Sequence, residues 1–395
     1  MNTQLFDANT PWAFWQCQPN PPENVWHAAV QSASPLLDLT IPHDRIDLVL
    51  EQTLGEGRFG PDHWKLKSSR RLYYMIKPLL PKPVTSLLKQ ASSRNARKNF
   101  PLHWPLEDRY ARFLWGCIRQ VLIQTGQEKI AYRHFWPDGA QYALVLTHDI
   151  ENHAGQKFVS QVADLEERLG FRSSFNFVPE RYPVDQGLVT ALRGRGFEIG
   201  IHGLNHDGKD FNSEPIFYQR AKRINHYLKT YQAVGYRSPL THRNPAWMQA
   251  LELDYDSSFF DTDPFEPMPG GSMSIWPYQI GRFIELPYTL IQDSTLAFVL
   301  GESTPRLWLD KLTFLRQYHG MALLNSHPDY LLQPAVLNLY ETFLREVKQV
   351  GQYWNALPRQ AARWWRFRTY DQPSPELPAI SHGFVAINND GAILC

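Results

Sequence analysis

From residue 142 onward the chain alternates. Short apolar runs of strand character are separated by amphipathic stretches of helical period, and the pattern repeats to about residue 350. Alternating strands and helices dictate a mostly parallel sheet with helices packed outside it. The pattern predicts strands at 142–147, 173–178, 197–201, 234–237, 255–260, 282–288, 295–300 and 320–326. Helices are predicted near 155–169, 185–195, 214–232, 244–252, 305–319 and 336–350. Six to eight such units over about 230 residues suit a closed or nearly closed ring. The expected fold class is therefore α/β: a distorted (β/α) barrel of about seven strands, with an N-terminal extension of mixed structure.

Three regions are expected: an extension over 1–135, the barrel over 136–370, and a tail over 371–395. In the extension, Arg45–Leu50 reads as a short strand. Residues 108–125 read as a helix with Tyr110, Phe113, Leu114, Cys117, Ile118 and Val121 on one stripe. A helix over 70–90 would be interrupted near Pro78. Residues 61–100 carry ten Lys/Arg and one acid, Asp62. The tail has an Asp390-Gly391 turn between apolar runs and reads as a hairpin.

Composition removes several function classes. A net charge of +1 argues against nucleic acid as a partner. Cys17, Cys117 and Cys395 are too few and too scattered for a disulfide framework or a zinc ribbon. The first residues lack a basic region followed by an apolar one, so no secretory signal is read there. No run approaches the roughly 18–20 apolar residues of a membrane span. A cytoplasmic location follows as the expectation. The 13 Trp, 18 Tyr and 22 Phe serve large cores and sugar-binding clefts alike.

In a (β/α) barrel, functional groups sit at the C-terminal ends of the strands. Four predicted strands end in residues of catalytic type. The first delivers Asp149 and Glu151, and the third delivers His202 and His206. The fourth delivers Arg237, and the last delivers His327. Two histidines with a carboxylate elsewhere suit a metal site, and a further carboxylate is left free to act as a base. Each residue also has a plainer reading. Asp149 would cap the following helix, Glu151 would be solvated in its first turn, Arg237 would join a structural ion pair, and His327 would pin a turn before Pro328. Nothing in the spacing ties His148, His153, His226 or His242 to the cluster.

The four motifs resemble those of the polysaccharide deacetylase family, the NodB-homology carbohydrate esterases. The family's first motif is Thr-Phe-Asp-Asp; here the stretch is Thr147-His-Asp-Ile-Glu151, closer to a subgroup that spaces its acids as Asp-Xaa-Asp. His202-Gly-Leu-Asn-His206 is similar to the second motif, His-Ser/Thr-Xaa-Xaa-His. Arg237-Ser-Pro239 is similar to the third, and the strand into His327 to the last. The resemblance covers roughly 140–330. It implies that Asp149 is the general base, that Arg237 orients it and that His327 is the general acid. It also implies that Glu151, His202 and His206 bind a divalent metal, with zinc expected. The implied reaction removes N-acetyl groups from an amino-sugar polysaccharide or its lipid-linked precursor. Two positions depart from the pattern: Glu151 stands in place of Asp, and Gly203 in place of Ser/Thr.

Two other functions compete. One is a metal-free hydrolase of small amides, as in the allantoinase-like branch; the other is a glycan-binding protein without catalysis. Trp276-Pro-Tyr278 and Phe259–Asp263 are expected to line the cleft. The basic 65–98 segment interleaves Lys/Arg with Leu, Tyr and Ile. It reads either as solvated surface or as a peripheral contact with the anionic inner membrane face.

Overall fold

The structure, a computed structural model, describes residues 3–40, 42, 44–61, 63–64, 96–372, 377–388 and 393–394. Nine strands make one sheet. They are β1 (Tyr142–Ile150), β2 (Ser174–Phe177), β3 (Glu198–His202), β4 (Gly235–Arg237), β5 (Tyr255–Asp256), β6 (Tyr278–Ile280), β7 (Phe283–Glu285), β8 (Met321–Ser326) and β9 (Tyr353–Asn355). The order is β8-β1-β2-β3-β4-β5-β7-β6, with β9 paired to the start of β1. All pairings are parallel except β6 with β7. Beyond β7, Thr289 N and Leu290 N both donate to Leu323 O on β8. Backbone hydrogen bonds therefore run on to the opposite edge, and the sheet curls into a distorted barrel. β1 is buried along its whole length, which explains its near-continuous apolar run: helices cover one face and the barrel interior lies on the other.

The connecting helices follow their sequence signals. Asn152 caps His153–Leu169, its side chain accepting from Ala154 N and Gly155 N, and Gly170 ends the helix in the left-handed region at φ 89°. Asp185 caps Gln186–Gly194 in the same way. Each helix buries one stripe, such as Val159, Val162 and Ala163, against the sheet. Three expectations fail. Arg45–Leu50 is not a strand, because Ile46–Thr53 is a helix that buries Val49 and Leu50. The expected strand 295–300 is a π-helical turn, Thr295–Val299. The expected helix 244–252 shrinks to Pro245–Met248.

The extension spans the barrel from floor to mouth. At the floor, Phe14 and Trp115 lie 4.9 and 5.6 Å from Trp276, ring centre to ring centre. The adjoining Ile275 O accepts from Met321 N at the start of β8. Helix Arg109–Thr125 carries Trp115 and buries the predicted stripe. At the mouth, Glu56 forms a fully buried bidentate pair with Arg243, and Thr262 donates to His103 O. A separate antiparallel sheet joins Cys17–Gln18, Lys129–Arg133, His382–Ile387 and Ile393–Leu394. The predicted helix over 70–90 and nearly all of the basic segment lie outside the described residues. No described helix is long and apolar enough to cross a membrane.

Candidate active site

β1 runs three residues past its predicted end, through Ile150. Alternation along the strand then points Thr147 and Asp149 into the barrel and His148 away from it. His148 engages Ser326 Oγ at 2.8 Å and Glu166 Oε1 at 2.6 Å, on the helix side. It takes no part in the cluster, as the spacing suggested. Asp149 is not the helix cap; Asn152 has that role.

Asp149 is gripped from three sides. Asn176 Nδ2 donates to its Oδ1 and Asn325 Nδ2 to its Oδ2, each at 2.9 Å. Arg237 Nη1 lies 3.4 and 3.5 Å from the two oxygens. Arg237 is itself buried and fixed: Nε donates to Ser257 O at 2.7 Å, and Nη1 reaches Thr147 Oγ1 at 2.9 Å and Asn325 Oδ1. Strand register explains the arrangement. Asp149 is in register with Asn176, and Asn176 with Gly200, so all three form one inward-facing row. A Cβ on Gly200 would sit 2.1 Å from Asn176 Oδ1. The glycine is what leaves the amide room. Burial pushes the Asp149 carboxyl up, but the neighbouring His202 ring, the Arg237 and His327 cations and the Asn176 amide hold it well below the usual carboxylate range.

Glu151, His202 and His206 stand beside it, each offering one ligand atom within 4.8 Å of the others. His202 Nδ1 faces Arg237 O at 3.1 Å, so Nδ1 carries the proton and Nε2 is left with its lone pair. Burial brings the His202 pKa down to about 4 despite the Asp149 charge, so the ring is neutral, as a metal ligand must be. His206 Nε2 is buried and lies 3.1 Å from Glu151 Oε1 without hydrogen-bond geometry. Glu151 is held through its N–H, which donates to Asp329 Oδ2 at 3.0 Å. Burial opposes its charge, yet His206, His327 and His202 keep its carboxyl far below the ordinary range. Two imidazoles, an ionised carboxylate and an orphaned Nε2 fit a divalent cation.

His327 completes the ring of functional groups. Its Nδ1 lies 2.7 Å from Asp293 Oδ1, and its N–H donates to Asp293 Oδ2 at 2.8 Å. Nε2 points back toward Glu151 Oε1 at 3.9 Å. Burial disfavours the charged imidazole, but Asp293 foremost, then Glu151 and Asp149, push its pKa up to about 10. The ring is therefore a charged acid at neutral pH.

All six sequence-predicted residues thus meet at one end of the barrel. Asn176, Asn325, Asp293 and Gly200 were missed; only the strand position of Asn325, two residues before His327, hinted at a role. Trp276 does not line the cleft. It is 1% exposed, packed among rings of the barrel floor and far from the cleft. Tyr278 is likewise buried, on β6. The Phe259–Asp263 loop does lie at the mouth, but Phe259 and Phe260 are fully buried against Arg243 rather than lining a cleft.

No protein-family model matches the sequence, and no curated protein does. Solved structures do share the fold. A Mycobacterium smegmatis protein assigned as a polysaccharide deacetylase superposes with a TM-score of 0.50 at 21% identity, over 62% of this chain and 96% of its own. A Pseudomonas aeruginosa PAO1 protein with the same assignment gives 0.49 at 17% identity, over 59% and 94%. The Puue allantoinase gives 0.48 at 16% identity, over 59% and 93%. The likeness to the M. smegmatis structure shows that this chain has the polysaccharide deacetylase fold.

Proposed function

We propose that this chain is a metal-dependent hydrolase that removes N-acetyl groups from an amino-sugar polysaccharide or its lipid-linked precursor. The observation that carries the reading is the separation of the two acids. Asp149 is bound by two amides and Arg237, while Glu151 faces the two histidines. One carboxylate is thus left for proton transfer and the other for a cation.

Glu151, His202 and His206 would hold that cation, with zinc expected for two imidazoles and one carboxylate. A divalent metal there supplies Lewis acidity, lowering the pKa of water and polarising the acyl oxygen. Asp149, ionised across the working pH range, accepts the proton of the attacking water. Arg237 and the two asparagines keep its oxygens in place, so that little reorientation is needed at the moment of transfer. His327, charged and braced by Asp293, gives its Nε2 proton to the departing amine. Acetate and a free amino sugar are the products.

The test is metal content beside acetate release from N-acetylated glycans. Wild type and Asp149→Asn are expected to carry about one ion per chain, with His206→Ala losing it. Both variants are expected to lose activity. A chain that takes up no metal in any form after reconstitution would sink the mechanism.

A further inference from the structure

We propose that Phe298 and Tyr330 form an aromatic platform for the glycan, carrying the pyranose ring next to the one that is deacylated. The proposal rests on the hydrolase reading for its occupant and on separate residues for its argument. Tyr330 sits on the short helix Pro328–Leu331 directly after His327, and its ring centre is 5.0 Å from that of His327. Phe298 meets Tyr330 edge to face at 5.4 Å and remains 39% exposed. Exposure rises from buried His327 through half-buried Tyr330 to Phe298, so the three rings lead from the acid outward.

A single exposed phenylalanine is ordinary on a protein surface. This one differs in its support. It rides on the π-helical turn Thr295–Val299, where Leu300 N donates to Thr295 O, five residues back. Such turns are uncommon and occur often at functional sites. The same segment begins just after Asp293, the partner of His327, so the turn that fixes the acid also sets Phe298 at the rim. A sugar ring presents an apolar C–H face with hydroxyls at its edge, and an aromatic face beside a polar site matches both.

The experiment compares wild type, Phe298→Ala and Phe298→Tyr on chitopentaose, fully N-acetylated, and on vinyl acetate, which has no ring to stack. Binding of the pentamer is measured in parallel by calorimetry. Phe298→Ala is expected to raise KM for the pentamer about tenfold with kcat within about twofold, and to leave vinyl acetate turnover unchanged. Phe298→Tyr is expected to restore the pentamer KM. Equal behaviour of wild type and Phe298→Ala on the pentamer overturns the platform and leaves the hydrolase reading standing. Parallel loss on both substrates overturns it too, because the ring then acts on the site's structure. Should wild type bind the pentamer without releasing acetate, and Phe298→Ala lose that binding, the hydrolase reading falls and the platform stands. A wild type that neither binds nor cleaves the pentamer refutes the platform.

Discussion

Gly200→Ala isolates the contribution of a residue that touches no substrate. The new methyl would stand 2.1 Å from Asn176 Oδ1 and 3.1 Å from its Cγ. An overlap of that size in a packed barrel displaces the amide, which then loses its 2.9 Å bond to Asp149 and the 3.1 Å bond it accepts from Ser174 Oγ. A hydrogen bond to a carboxylate is worth roughly 1.5–3 kcal/mol. If it is fully felt in the transition state, kcat/KM falls about 10- to 150-fold. The structure also says what rescues the loss. With Asn176 shortened to alanine, the nearest remaining neighbour of the methyl is Gly235 O at 3.6 Å, an ordinary contact. Gly200→Ala should therefore cost little more once Asn176→Ala is present, and the pair should be strongly non-additive. Acetate release by the four proteins of this cycle, with thermal midpoints recorded beside it, decides the matter. A full additive loss in the double variant, or no loss in Gly200→Ala alone, refutes the argument that the glycine acts through the amide.

Two further outcomes follow from the same geometry. Asp293→Asn removes the largest group holding the His327 pKa at about 10. If that pKa returns to the ordinary histidine value of 6.5, the protonated fraction at pH 8 drops to about 3% and kcat/KM falls about thirtyfold, recovering toward pH 5.5; an unchanged alkaline limb would refute the role of Asp293. A histidine raised from 6.5 to about 10 stabilises the fold fully below pH 6.5, and that contribution is lost as pH rises through 10, so the wild type's alkaline decline should shrink in the variant. Gly203→Ser forces a side chain into a left-handed residue at φ 62°, with its Cβ 2.3 Å from Pro239 Cγ. Left-handed strain plus overpacking should lower stability by about 2–4 kcal/mol, read from the urea midpoint; an unchanged midpoint would show that Pro239 moves freely aside.

The sequence made the rim legible because each functional residue there follows its own apolar run. Strand period and the end-of-strand rule suffice to place Asp149, His202, Arg237 and His327 on one edge. Residues that work through register were not legible. Asn176 lies inside β2 and is unremarkable until β1 and β3 are aligned beside it, whereupon it falls between Asp149 and Gly200. Asp293 lies in no predicted strand or helix; it meets His327 only because the chain after β7 returns to β8. Trp276 failed for the opposite reason. Its neighbours in sequence suggested a cleft loop, but ring packing with Phe14 and Trp115, residues more than 150 positions away, decides its place. Likewise the strand expected at 295–300 had the right apolar content for β structure, and hydrogen bonds at π spacing prevailed over propensity.

The two departures from the family pattern have local counterparts in the structure. A hydroxyl side chain at position 203 has no room, because Pro239 and Asp210 Oδ2 occupy the space where it would begin. The loop that such a hydroxyl would brace is braced instead by Arg220. Its Nη1 donates to Asp207 Oδ1 at 2.7 Å and to Asp210 Oδ1 at 2.6 Å, tying the loop after His206 to helix Glu214–Thr230. Glu151 reaches one methylene further than an aspartate, and its backbone is pinned by Asp329, whose own carboxyl fills the gap over Gly155. A longer arm on a fixed base still brings Oε1 to 3.1 Å from His206 Nε2. On this argument an aspartate at 151 would fall short of the histidines rather than improve the site. Glu151→Asp should therefore lower metal affinity while leaving the fold intact, and tighter binding by the variant would refute the argument.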